Sequence, residues 1–131
     1  MATILITDDD PTVRAIATEL LAPEGHRVLE AVDGNQALEI VRREPIDLIV
    51  LDMLMPDKDG LETIIAIRRE KRPIRILAIS SGGSMGADSV LKPALAFGAD
   101  RIMVKPLRIS VFAKTVTEML TCPVGDTSPF G

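Results

Sequence analysis

In the stretch Ile46-Asp47-Leu48-Ile49-Val50-Leu51-Asp52-Met53-Leu54-Met55-Pro56-Asp57-Lys58-Asp59-Gly60, an apolar run ends abruptly on a carboxylate. Leu48 to Leu51 are continuously apolar and Ile49 and Val50 are β-branched, the pattern of a strand covered on both faces, and such strands belong to parallel sheets. Asp52 then stands at the carboxyl end of that strand. Open α/β sheets bind ligands in the crevice outside those ends, so an acid there is placed for chemistry. Asp52 as a simple helix cap is the bland alternative; Met55-Pro56 and Asp59-Gly60 read as turns that delay the next helix and argue against it.

Working outward, Thr3-Ile4-Leu5-Ile6-Thr7 predicts a short buried strand that ends on Asp8-Asp9-Asp10-Pro11, with Pro11 at the first helical position and Asp10 as N-cap. Val13, Ile16, Ala17, Leu20 and Leu21 then mark one buried helical face, which Pro23 to Gly25 terminate. Arg27 to Ala31 predict a second strand. Asp33-Gly34-Asn35 reads as a turn, followed by a helix lined by Ala37, Leu38 and Val41 and closed by Pro45. Past Gly60, Leu61, Ile64, Ile65 and Arg68 mark a third helix ended by Pro73, and Ile74 to Ile79 a fourth strand that delivers Ser80. The segment Ser81-Gly82-Gly83-Ser84-Met85-Gly86 is glycine-rich and costly to fix in one conformation. A fourth helix is expected from about Asp88 to Phe97, where Pro93 predicts a late start or a kink. Arg101 to Val104 predict a fifth strand ending at Lys105-Pro106, and Ile109, Phe112, Val116, Met119 and Leu120 a final amphipathic helix. Residues 1–121 are thus expected to form one domain and residues 122–131 a flexible tail.

The 131 residues are 47% hydrophobic and 26% charged, and 19 acidic against 15 basic side chains leave a net charge of −4. With the basic residues scattered, direct nucleic-acid binding is not expected. The one cluster, Arg68, Arg69, Lys71 and Arg72, reads as a solvated helix end. A single cysteine, Cys122, no signal-peptide pattern and no membrane-length apolar run predict a cytoplasmic chain without membrane association. His26 reads as a surface residue, and the methionines as packing.

Five strands alternating with five helices imply an α/β fold, a doubly wound parallel sheet whose strands all point one way. That geometry gathers Asp8, Asp9, Asp52, Ser80 and Lys105 at one edge. Two carboxylates about 4 Å apart repel by roughly 4 kcal/mol at an effective dielectric of 20, so three require compensation. All-oxygen ligands with open positions suit Mg²⁺, and a lysine and a hydroxyl beside it complete a phosphoryl site. Asp10 is expected to serve the helix rather than the metal.

The ordered set Ile4-Leu5-Ile6-Thr7-Asp8-Asp9-Asp10, then Leu51-Asp52 through Asp59-Gly60, Ser80, and Gly98-Ala99-Asp100-Arg101-Ile102-Met103-Val104-Lys105-Pro106 resembles the receiver domain of bacterial two-component response regulators. The resemblance implies a flavodoxin-like, five-stranded sheet of order 2-1-3-4-5. It implies that Asp52 accepts a phosphoryl group from a phosphohistidine, that Asp8, Asp9, Asp52 and the Leu54 main-chain carbonyl hold Mg²⁺, and that Ser80 and Lys105 bind phosphoryl oxygens. A cis bond before Pro106 is also implied, as are a sensor histidine kinase or histidine phosphotransfer domain as donor, an output protein or domain, and a monomer or weak dimer. The chain would be no enzyme beyond assisting its own phosphorylation and slow dephosphorylation. Two departures stand out. Ile102 replaces the usual Tyr or Phe three residues before the lysine, and Leu107 replaces the common Phe. Two rivals remain: a haloacid-dehalogenase-type phosphatase with Asp8 as nucleophile, which lacks its late paired acids and leaves Asp52 idle, and a receiver-shaped interaction module that is never phosphorylated.

Overall fold

The computed structural model describes residues 2–54, 60–81 and 88–121. The elements follow the chain as β1 (Thr3–Thr7), α1 (Pro11–Leu21), a 3-10 turn (Ala22–Glu24), β2 (Arg27–Ala31), α2 (Gly34–Arg43), β3 (Leu48–Asp52), α3 (Gly60–Arg69), β4 (Arg75–Ser81), α4 (Asp88–Phe97), β5 (Arg101–Lys105) and α5 (Ile109–Thr121). All strand pairs are parallel, and the sheet order is β2-β1-β3-β4-β5. Right-handed crossovers put helices on both faces.

Side-chain alternation along the strands separates two cores. Leu5, Ile49, Leu51, Ile76 and Ala78 pack with Ala37, Val41, Ile64, Ile67 and Ala94, residues of α2, α3 and α4. Ile4, Ile6, Val50, Leu77 and Ile79 face the other way and pack with Ala17, Leu21, Phe112, Val116 and Met119 of α1 and α5. β3 is buried at all five positions, as expected of the strand at the centre of the order.

Several local expectations change. Ile16 is 41% exposed, outside the face that buries Ala17 and Leu21; at 100° per residue the stripe falls on its neighbours. Asp33 begins α2 rather than a turn. Its carboxylate accepts from Gln36 N at 2.8 Å while Gln36 Oε1 accepts from Val32 N at 2.7 Å, a reciprocal cap that lets Gly34 and Asn35 be helical. α4 extends from Asp88 through Pro93 without a late start. Asp10 caps α1, accepting from Thr12 N at 2.9 Å.

In the basic cluster Arg69, Lys71 and Arg72 are exposed, as expected of a solvated helix end, while Arg68 is half-buried, and both Arg68 and Arg72 also bind carbonyls. Arg68 donates to Gly98 O from Nε (3.0 Å) and Nη2 (2.6 Å), to Ile74 O from Nη1 (2.6 Å) and to Asp100 Oδ2 from Nη2 (2.9 Å). Arg72 donates to Val41 O and Arg42 O in the last turn of α2. Both guanidinium groups meet carbonyls at helix C-terminal ends, where donors are scarce and the dipole favours cations. The expectations for Met55-Pro56, Asp59, the glycine-rich segment 82–87 and the tail lie outside the described residues.

Candidate metal and phosphoryl site

Strand register builds the site. Thr7 pairs with Leu51, so Asp8 and Asp52 are the next residues of adjacent strands and lie side by side about one strand spacing apart. Asp52 pairs with Ile79, one residue before Ser80, and Ser81 pairs with Lys105. Four strand ends thereby bring together residues nearly a hundred positions apart in sequence.

Asp8 and Asp52 are buried, whereas Asp9 is exposed, and one carboxylate oxygen from each of the three lies within 4.8 Å of the other two. Lys105 Nζ stands 2.8 Å from Asp8 Oδ2 and 3.6 Å from Asp52 Oδ2. Asp52 Oδ1 accepts from Leu54 N at 3.2 Å, and Asp8 Oδ1 accepts from Asp10 N at 2.9 Å. The Lys105–Pro106 bond is cis. Ser80 is fully buried near the end of β4.

Burial, reinforced by the Asp8 carboxylate, pushes the Asp52 carboxyl up to about 6. Burial on its own would lower the Lys105 ammonium, but the hydrogen bond to Asp8 and the charges of Asp52 and Asp8 raise it instead. Three carboxylates facing one ammonium leave two negative charges unbalanced. The donors are oxygens only, one of them reaching solvent, so the set fits a hard divalent cation such as Mg²⁺ that keeps part of its water shell.

Gly60 fixes how the chain leaves this edge. Its N–H donates to Met53 O at 3.2 Å, and a Cβ added there would sit 2.6 Å from Met53 Cα and 3.0 Å from Asp52 O. No side chain fits so close to the strand carrying Asp52, and the sequence signal read as turn punctuation is better explained by this approach.

The sequence reading passed over Arg14. It lies one turn beyond Asp10 on α1, and Nη1 donates to Asp8 O at 2.8 Å while Nε pairs with Glu30 Oε1 at 3.0 Å. Spacing along the chain gave no signal for this contact, which depends on how α1 packs beside β1 and β2.

The conserved sequence pattern of the response regulator receiver domain matches residues 4–117. Among curated relatives, the chain is 39% identical over 106 residues to the transcriptional regulatory protein CpxR of Escherichia coli, covering 81% of this chain and 44% of that protein. It is 31% identical over 117 residues to sporulation initiation phosphotransferase F of Bacillus subtilis, covering 89% and 92%. The chain spans less than half the length of CpxR and of the response regulator GtcR of Aneurinibacillus migulanus, of which it covers 41%. Among solved structures, Vibrio cholerae chemotaxis protein CheY4 superposes with a TM-score of 0.81 at 27% identity, over 91% of this chain and 98% of that one. Thermotoga maritima response regulator TrrA, solved with Mg²⁺ and BeF, gives 0.78 at 29% identity, over 91% and 99%. Sequence pattern, relatives and fold agree over the same strands that carry the acids, and the chain belongs to the response regulator receiver domain family, the phosphoacceptor modules of two-component signalling.

Proposed function

We propose that Asp52 is the phosphoacceptor, and that it takes its phosphoryl group from a histidine of a sensor kinase or histidine phosphotransfer domain. The observation that carries this reading is the position of Asp52 at the end of β3, with Asp8 and Asp9 oxygens within 4.8 Å and Lys105 Nζ at 3.6 Å. A carboxylate oxygen of Asp52 forms the new P–O bond as the P–N bond breaks, and the electron pair of that bond leaves on the imidazole. The product is a mixed carboxylic-phosphoric anhydride.

A carboxylate is a modest nucleophile, yet a loose phosphoryl-transfer transition state depends more on position and charge neutralisation than on nucleophilic strength. Leu54 N–H orients Asp52 Oδ1. Lys105 offers its ammonium to the incoming phosphoryl oxygens, and the Ser80 hydroxyl is the donor from the neighbouring strand. Asp8, Asp9, Asp52 and the Leu54 carbonyl would hold Mg²⁺, which when bound neutralises charge on the phosphoryl oxygens. Asp8 serves in this reading as a ligand and not as the nucleophile of a phosphatase, because that scheme leaves the buried Asp52, on the strand beside it and facing the same lysine, without a role.

In this reading residues 1–121 form a cytoplasmic receiver, with 122–131 as its tail, that promotes its own phosphorylation and slow dephosphorylation and signals through an output protein or domain. The domain itself does not bind nucleic acid and is a monomer or weak dimer. No helix among the described residues is long and apolar enough to cross a membrane. Incubation with a small acyl phosphate and Mg²⁺ followed by intact-mass measurement should show one added phosphoryl group, absent in Asp52→Asn. Loss of the adduct in Asp8→Asn with retention in Asp52→Asn would reverse the assignment.

A further inference from the structure

We infer that Arg14, braced by Glu30, is a positioning residue for the acidic pair, holding the peptide unit that joins Asp8 to Asp9 so that the Asp9 carboxylate faces the cation site. This rests on the metal-binding reading proposed above.

Asp8 is held through its N–H, its carboxylate and its carbonyl. Its N–H donates to Ala31 O at 3.1 Å, Oδ1 takes the Asp10 N–H, and Oδ2 takes Lys105. The carbonyl is held by Arg14 Nη1 at 2.8 Å. That carbonyl belongs to the Asp8–Asp9 peptide plane, so fixing it limits the backbone rotation that aims Asp9. Asp9 needs such help, because it is the exposed member of the triad and sits beyond the last paired residue of β1, Thr7.

Arg14 is suited to the task. Its side chain is only 16% exposed, and Glu30 fixes the guanidinium through Nε, leaving Nη1 aimed at the carbonyl. A planar guanidinium holds two partners at a set angle, whereas the single ammonium of lysine does not. The arrangement ties β2, through Glu30, to a ligand delivered by β1.

Two explanations of Arg14 predict opposite signs. As a mere cation near three carboxylates it opposes Mg²⁺, and Arg14→Gln should tighten metal binding. As a positioning residue it should weaken binding when removed, by about tenfold, the scale of support lost when the partner of a metal ligand is deleted. Arg14→Lys keeps the charge and should weaken binding as well, and Glu30→Gln should do so by a smaller factor. The test is calorimetric Mg²⁺ titration of the intact chain and these variants, each also made in the Asp9→Ala background, with unfolding midpoints measured alongside. Weakening by Arg14→Gln that shrinks to less than about twofold without Asp9 supports the inference. Tighter or unchanged binding, or a loss that persists undiminished in Asp9→Ala, overturns it. If Arg14→Gln fails to fold, Glu30→Gln and Arg14→Lys carry the same comparison. A wild-type chain that binds no Mg²⁺ sinks the metal reading and this inference together, while wild-type binding with unaffected variants sinks this inference alone.

Discussion

Asp52 is most reactive in the form that the fold disfavours. In metal-free protein its carboxyl titrates at about 6 rather than 3.8, because burial and Asp8 oppose the charge. The folded chain therefore holds this proton more tightly than the unfolded chain, and stability falls as pH rises from the unfolded value of 3.8 through about 6. Asp52→Asn carries no such charge. In chelator-treated protein at about pH 7.5 it should be more stable than wild type by on the order of 1–3 kcal/mol, and the gap should close below about pH 4. Urea unfolding at the two pH values measures this. An equal difference at both would mean that ionisation of Asp52 is not what separates the two proteins.

At the scale of elements, the C-terminal ends of α2 and α4 are held by arginines from the end of α3 and just beyond it. Arg68 does more than cap. Asp100 Oδ2 accepts from Ile76 N at 2.7 Å as well as from Arg68, so one guanidinium joins α3, the start of β4 and the turn after α4. Gly98, at φ 127°, lets that turn pass the arginine, since a Cβ would lie 3.0 Å from Arg68 Cγ. Arg68→Met keeps the apolar stem and removes every donor, and it should cost about 1–3 kcal/mol because partly buried carbonyls lose their partners. Arg68→Lys should recover little of it, having no fork to span Gly98 O and Ile74 O. Chemical denaturation reads both, and an unchanged midpoint for Arg68→Met would show that water replaces the guanidinium freely.

For the whole molecule, the question is where a phosphoryl group on Asp52 is felt. Added negative charge and acceptor oxygens should draw Ser80 through a charge-assisted hydrogen bond. The response usually associated with an aromatic at the Ile102 position is closed to this chain. Ile102 is partly buried and packs on the core shared with α2, α3 and α4, and its strand is further tied to α5 by the Arg101–Glu118 ion pair at 3.0 Å. With the C-terminal end of α4 clamped by Arg68, residues 94–104 should keep their amide exchange rates when Mg²⁺ and a beryllium fluoride mimic are added. The response is expected in ordering of residues 81–87 and movement of α4 about its held C-terminal end; residues 82–87 lie outside the described residues. Exchange mass spectrometry that finds the main change within 101–104 would refute this division of the molecule.

The sequence by itself determined the order of elements, the five-stranded α/β class and the acids at strand ends, because these follow from local signals. Apolar runs of strand length, Pro11 after a capping Asp10 and helical spacing each act over a few residues. That Asp8, Asp9, Asp52, Ser80 and Lys105 stand at one edge of the sheet was also legible, since parallel strands must deliver their ends there. Tertiary structure alone decided the rest. That Gly60 is required by the approach of Met53, that Arg68 and Arg72 hold carbonyls of neighbouring elements, that Ile16 faces outward and that Arg14 reaches the Asp8 carbonyl all depend on contacts between elements. A guanidinium in a sequence carries no sign of which carbonyl it will meet, because its partner is chosen by packing of distant segments and not by spacing along the chain.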